Sequence, residues 1–238
     1  MWRKRAPFRT TLDPPPDMSV RLVVFDVDGT LYERGALRAR MLLELSLFAL
    51  RHPLRFRELM VVREYRSVHE NFGPDPCENL ANALLEQVGR NLSIHPETVG
   101  RIVEEWLFRR PLRHLRNRCV PEVETTLQKL RLRGVAVAVL SDHYPVLKLE
   151  ALGLHFEHTY YATREDLNCL KPNPRLLSKI LSDQQVRPIE CVMIGDRDDR
   201  DGSLARAVGA GFVLYPDRRR RGSLLDAIDE AGSARSPS

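Results

Sequence analysis

The chain has 238 residues, 43% of them hydrophobic and 29% charged, with a formal net charge of +5. That length holds one substantial core plus a smaller domain, and the composition is that of an ordinary soluble globular protein. No apolar run reaches the roughly 18 residues that span a bilayer. Cys77, Cys119, Cys169 and Cys191 form neither a C-x-x-C pair nor a zinc-spaced set with histidine, which points to a reduced, cytoplasmic setting.

Residues 1–18 begin with Trp2-Arg3-Lys4-Arg5 and continue into Pro14-Pro15-Pro16, a basic, extended leader expected to be disordered. No apolar h-region follows the basic start, so a secretory signal is not expected. Met18 directly precedes the first predicted strand and is a candidate translation start. Val20 to Phe25, rich in β-branched residues, reads as a buried strand. Residues 32–118 then carry helical patterns and no clear strand. Arg38–Leu50, Leu54–Glu70, Asn79–Arg90 and Glu97–Arg109 are separated by His52-Pro53, Gly73-Pro74-Asp75-Pro76 and His95-Pro96.

A helix over Glu122–Arg133 stops at Gly134 and leads into a strand over Val135–Leu140. Helices over Val146–Leu152 and Pro174–Leu181, a strand over Cys191–Ile194, a helix over Leu204–Val208 and a strand over Phe212–Tyr215 complete the pattern. Strands alternating with helices predict an α/β fold with a doubly wound, mostly parallel sheet, built from residues 19–31 and 119–216. Residues 32–118 are then an inserted all-helical domain. Residues 217–238, with Arg218–Arg221, read as a basic and mostly disordered tail. The two terminal arginine-rich runs lack aromatic interleaving or a nucleic-acid motif, so no nucleic-acid partner is expected.

Ligands of an open parallel sheet bind where the carboxyl ends of the strands converge. Those ends deliver Asp26 and Asp28 after the first strand, and Ser141 and Asp142 after the second. Asp196 follows the third, with Asp198, Asp199 and Asp201 close behind, and Lys171 lies in the loop Leu170-Lys171-Pro172-Asn173-Pro174. Several carboxylates at one rim repel one another unless a cation joins them. Oxygen ligands in this number suit Mg²⁺, which binds one or two carboxylates together with substrate phosphate. Lys171 adds positive charge, and Ser141, Asp142 and the following helix start are the phosphate-side candidates.

Asp26-Val-Asp28-Gly-Thr-Leu, Ser141 after an apolar strand, Lys171-Pro172 and Gly195-Asp196-(x)₄-Asp201 occur in this order. The series resembles the four motifs of the haloacid dehalogenase (HAD) superfamily over residues 20–216, with residues 32–118 similar to its C1-type helical cap on a Rossmann-like core. The resemblance implies a phosphohydrolase in which Asp26 is the nucleophile and forms an aspartyl-phosphate. Asp28 would be the acid and base. Ser141 and Lys171 would hold the phosphoryl group, and Asp26, the Asp28 backbone carbonyl and Asp196 would hold Mg²⁺. Asp201, or Asp199 in its stead, would stand behind the metal ligands. Aspartate two residues after the nucleophile marks phosphatases of this superfamily rather than dehalogenases. A mutase moving a phosphoryl group within one sugar shares these motifs, and a binding protein on a retired enzyme fold would have lost one of them.

Two features bear on the substrate, expected to be a small phosphorylated molecule. Arg34, Arg38, Arg40, Arg51, Arg55, Arg57, Arg63 and Arg66 crowd the inserted domain; most are expected on solvated helix faces, and a second anionic substrate group would suit some. Met41–Leu50 is apolar on nearly every face, as a helix buried in the cap or against a dimer partner would be. Peripheral contact with a membrane, to reach a lipid-linked phosphate, is the sharper alternative. His143, beside Ser141, either contacts substrate or begins a helix.

Overall fold

The computed structural model describes residues 20–116, 118–216 and 222–233. The leader 1–18, the candidate start at Met18 and the run Arg218–Arg221 lie outside them. Five strands, β1 (Leu22–Phe25), β2 (Ala136–Ser141), β3 (His158–Tyr161), β4 (Cys191–Gly195) and β5 (Gly211–Leu214), form one sheet of order β3-β2-β1-β4-β5. Every pairing is parallel, with Phe25 opposite Val139 on one side and Ile194 on the other.

Side chains alternate across a strand, so a central strand covered on both faces must be apolar at every position. β1 obeys this: Val23 and Phe25 join Val137, Val139, Val192 and Ile194 in one cluster, while Leu22 and Val24 join Ala138, Leu140 and Met193 in the other. Helix α6 (Pro121–Leu132) and the C-terminal α10 (Leu224–Ser233) cover the first face. Helices α8 (Arg175–Gln184) and α9 (Ser203–Val208) cover the second. Burying each aliphatic side chain in these layers contributes about 1.5–3 kcal/mol before entropy is counted.

One sequence expectation needs correction, and one strand escapes the sequence reading. β3 is not legible as a strand, because its His-Thr-Tyr-Tyr is only partly buried and lies at the sheet edge. Residues 224–233 are not tail but helix α10, whose Leu224, Leu225 and Ile228 are buried against the core.

Between β1 and α6 the chain makes α1 (Arg34–Arg51), α2 (Arg57–Asn71), α3 (Leu80–Leu92), α4 (Pro96–Val103) and α5 (Arg110–Leu115), the last two joined by a wide helical turn over Glu104–Arg109. Val61, Tyr65, Leu80, Leu84, Val88 and Val99 form the main core of this cap, and Ala162 and Leu170 of the sheet domain close it from below. Met41 and Leu45 of α1 pack on Val62 and Trp106, whose indole N–H donates to the buried Glu58 carboxylate at 2.8 Å. The run 41–50 is therefore only partly buried: Leu42, Leu43, Leu47 and Leu50 stay exposed. Asn168 ties the cap to the sheet domain, its side chain accepting from Leu80 N at 3.1 Å and donating to Glu78 O at 3.1 Å.

Candidate active site

Asp26 follows β1 directly, and its backbone N–H donates to Ile194 O at 2.8 Å, which fixes the residue at the carboxyl rim of the sheet. Its side chain is buried. Lys171 Nζ lies 2.5 Å from Asp26 Oδ1 and 2.8 Å from Asp201 Oδ1, while the Thr30 hydroxyl donates to Asp26 Oδ2 at 3.3 Å. Burial raises the Asp26 carboxyl, the Lys171 charge opposes this, and the Asp201 and Asp28 carboxylates add to the rise. Lys171 is itself buried, yet Asp201, Asp26 and Asp142 hold its ammonium well above the ordinary lysine value. An ion pair kept out of water in this way persists only where its remaining bonds are satisfied.

Asp28 has a different neighbourhood. Lys148 Nζ of helix α7 (Val146–Leu152) is 2.5 Å from its Oδ1, and the Tyr32 hydroxyl donates to the same oxygen. Burial alone would raise this carboxyl, but Lys148, His143 and Tyr32 keep it well below the usual carboxylate range. Two carboxylates two residues apart are thus pushed in opposite directions, one by burial among anions and the other by a private lysine. Lys148 carries no sequence signal, since one lysine on a short amphipathic helix reads as a solvated face.

The turn that joins these residues to Asp196 leaves no room for side chains. Gly29 has φ of +108°, open to glycine at little cost, and a Cβ there would collide with the Asp196 carboxylate. A Cβ on Gly195 would collide with Asp201 in the same way. Carboxylate oxygens of Asp26, Asp196 and Asp201 consequently all lie within 4.8 Å of one another. Arg34 Nη1 reaches both Asp196 Oδ2, at 3.3 Å, and the Asp28 carbonyl oxygen, at 3.4 Å. A guanidinium bridging these two oxygens shows that the rim accepts a cation there. The oxygen-only donor set suits a hard divalent ion.

Ser141 is buried at the end of β2, and its Oγ accepts the His143 backbone N–H at 3.2 Å. Asp142 turns one oxygen to the Lys171 backbone N–H at 3.2 Å and the other to Arg200 at 3.3 Å, so it orients the lysine loop. Asp201 Oδ2 accepts the Arg197 backbone N–H at 3.3 Å, which leaves both its oxygens engaged. Asp199 is not brought to this cluster; it is exposed and paired with Arg197.

The cap roofs the site. Tyr65, Arg66, His69 and Glu70 of α2 line the same cavity as Asp26, Asp28, Lys171 and Asp196, together with Arg34 and Arg38 of α1. Glu70 accepts from Arg197 at 2.6 Å and its carbonyl from Arg200 at 2.9 Å, which latches α2 to the rim. His143 belongs to this roof contact: its ring is 4.4 Å from that of His69 and 5.3 Å from Phe108. Burial, with His69 and Lys148 nearby, pushes His143 down to about 3, so it is a neutral imidazole at pH 7, and burial lowers His69 as well. These cap residues come from helix faces that a sequence pattern cannot aim.

Residues 20–209 match the family described as haloacid dehalogenase-like hydrolase. The chain is 30% identical over 225 residues to the glyceraldehyde 3-phosphate phosphatase of Methanopyrus kandleri, covering 87% of each protein. It is 28% identical over 209 residues to the enzyme of the same name from Pyrococcus furiosus, covering 82% of this chain and 80% of that one. A 2-haloacid dehalogenase of Pseudomonas syringae pv. Tomato shares the fold, with a TM-score of 0.59 at 20% identity over 90% of this chain and 99% of that one.

Proposed function

The chain belongs to the haloacid dehalogenase-like hydrolases as a phosphatase, and from that premise we propose that it cleaves a small phosphomonoester with Mg²⁺ through an aspartyl-phosphate on Asp26. The observation that carries this reading is the buried Asp26–Lys171 pair at 2.5 Å, open to a cavity it shares with Asp28 and Asp196.

Asp26 attacks phosphorus, a P–O bond forms, and the bond to the leaving oxygen breaks. Lys171 and the Ser141 hydroxyl hold the phosphoryl oxygens, so the lysine serves nucleophile and electrophile at once. Asp28, kept ionised beside Lys148 and Tyr32, takes a proton from the water that opens the aspartyl-phosphate, and it delivers one to the leaving oxygen only in its protonated form. Lys148 and Tyr32 both engage Asp28 Oδ1, which leaves Oδ2 for those transfers. Asp26, Asp196 and the Asp28 carbonyl would hold Mg²⁺, which would supply positive charge to the phosphoryl oxygens. Asp201, with both oxygens engaged, steadies Lys171 behind these ligands. The aspartate at position 28 favours phosphoryl over halide chemistry, although a dehalogenase shares the fold.

Purified protein is expected to release phosphate from p-nitrophenyl phosphate with Mg²⁺ and to lose this activity on chelation. Asp26→Asn is expected to reduce turnover below detection, and turnover persisting in that variant would overturn the mechanism.

A further inference from the structure

Three guanidiniums of the cap enter the roof of the cavity: Arg34 and Arg38 from α1 and Arg66 from α2. Arg34 is answered by Asp196. Arg38 and Arg66 have no ion pair or hydrogen bond among the described residues, whereas Arg197 and Arg200 on the opposite rim each have a carboxylate partner. Arg38 stands one turn after Arg34 on the same helix, and like charges at that spacing oppose the helix by about 0.2–0.5 kcal/mol. Both side chains are solvent-exposed along the cavity; partial desolvation together with Arg38 and Arg34 lowers Arg66 below the ordinary arginine value, and partial desolvation together with Arg34 lowers Arg38, against the opposing pull of Asp196 and Glu70. The cap therefore brings three positive charges to one cavity, with Glu70 the cap carboxylate that acts on Arg38 from a distance and no ion pair on Arg38 or Arg66 among the described residues. His69 adds a second unmet need in the same roof: its Nε2 is buried without a hydrogen-bond partner among the described residues.

We propose that Arg38 and Arg66 form a subsite for a second anionic group of the substrate, a phosphate or a carboxylate, while the first phosphate sits on Asp26 and Lys171. This rests on the phosphatase reading above and narrows its substrate class to molecules with two anionic ends. The guanidinium fork suits such groups because two parallel N–H donors match two oxygens. His69 lines the same cavity, and its Nε2, without a partner among the described residues, suits a hydroxyl of the connecting carbon chain. An arriving anion relieves the repulsion among the three arginines.

The test uses the full chain carrying Asp26→Asn, with Mg²⁺, so that binding is read without turnover. Calorimetry compares three series of graded carbon length: α,ω-alkanediol bisphosphates, ω-carboxyalkyl phosphates and ω-hydroxyalkyl phosphates. At one or more lengths a doubly anionic probe is expected to bind at least about tenfold more tightly than its hydroxyl counterpart, a gain of about 1.4 kcal/mol. The winning series identifies phosphate or carboxylate as the second group. Adding Arg38→Met and Arg66→Met is expected to shrink that advantage below about threefold, and Arg38→Lys with Arg66→Lys to restore part of it. Circular dichroism and the melting temperature check that each variant folds. An advantage below tenfold at every length, or one that survives the double methionine variant, overturns the subsite. Failure of Mg²⁺-dependent p-nitrophenyl phosphate hydrolysis by the unmutated chain would instead strike the phosphatase reading, so the two failures are separable.

Discussion

At the rim of the sheet Lys171 lies between Asp26 and Asp201, Lys148 rests on Asp28, and Arg200 reaches Asp142. Across the cavity Arg38 and Arg66 meet no carboxylate among the described residues, and Leu42, Leu50 and Leu54 on the outer cap are 60%, 79% and 98% exposed. The difference follows from burial. A charge kept from water at the rim costs several kcal/mol unless a partner answers it, so its neighbours are tightly constrained. Charges and leucines on a solvated cap carry no such penalty.

The comparison breaks first at Lys171. Lys171→Met leaves Asp26 and Asp201 without their shared cation, and loss of one partner from a buried pair destabilises by about 3–5 kcal/mol. Urea unfolding in the presence of chelator is expected to show that loss, with turnover falling alongside it; a change under about 1 kcal/mol would mean the pair is better hydrated than its burial implies. Lys148→Met comes next. If Lys148 holds Asp28 for proton transfer, alkyl phosphates, whose leaving oxygen needs a proton, should lose about 10²-fold in kcat. p-Nitrophenyl phosphate, with a good leaving group, should lose far less, and equal losses on both would reduce Lys148 to a structural role. The smallest effect belongs to the outer cap. Leu50→Gln and Leu54→Gln are expected to change stability by no more than about 0.5 kcal/mol, as exposed substitutions do. A larger loss in thermal melting would reveal that another surface covers these leucines.

The rim is legible in the sequence because its residues follow strands. Asp26, Ser141 and Asp196 each come within two residues of a buried apolar run, and parallel strands bring such ends together whatever the loops do. Lys171 is legible only through its order among these motifs. Lys148, Tyr32, Arg34 and His69 are not, because each lies on or beside a helix whose rotation about its own axis decides what the side chain meets. Asp199 and Asp201 show the same limit at close range. They are two residues apart, yet one is exposed on Arg197 and the other buried on Lys171. β3 escapes the pattern because its partial burial at the sheet edge leaves no continuous apolar run, and α10 because its apolar face is short and follows an arginine run.

The order of buried strands and acidic turns along the chain is enough to establish an α/β core with its carboxylates at one rim, since hydrophobic periodicity and strand polarity are local properties; that the core is a hydrolase's is what the motif resemblance implies. Which lysine serves which aspartate, how α2 latches to Arg197 and Arg200, and which two cap arginines line the cavity without a partner among the described residues are decided only in three dimensions. Those contacts join residues far apart in sequence, and their energies depend on burial and distance, neither of which a linear pattern contains.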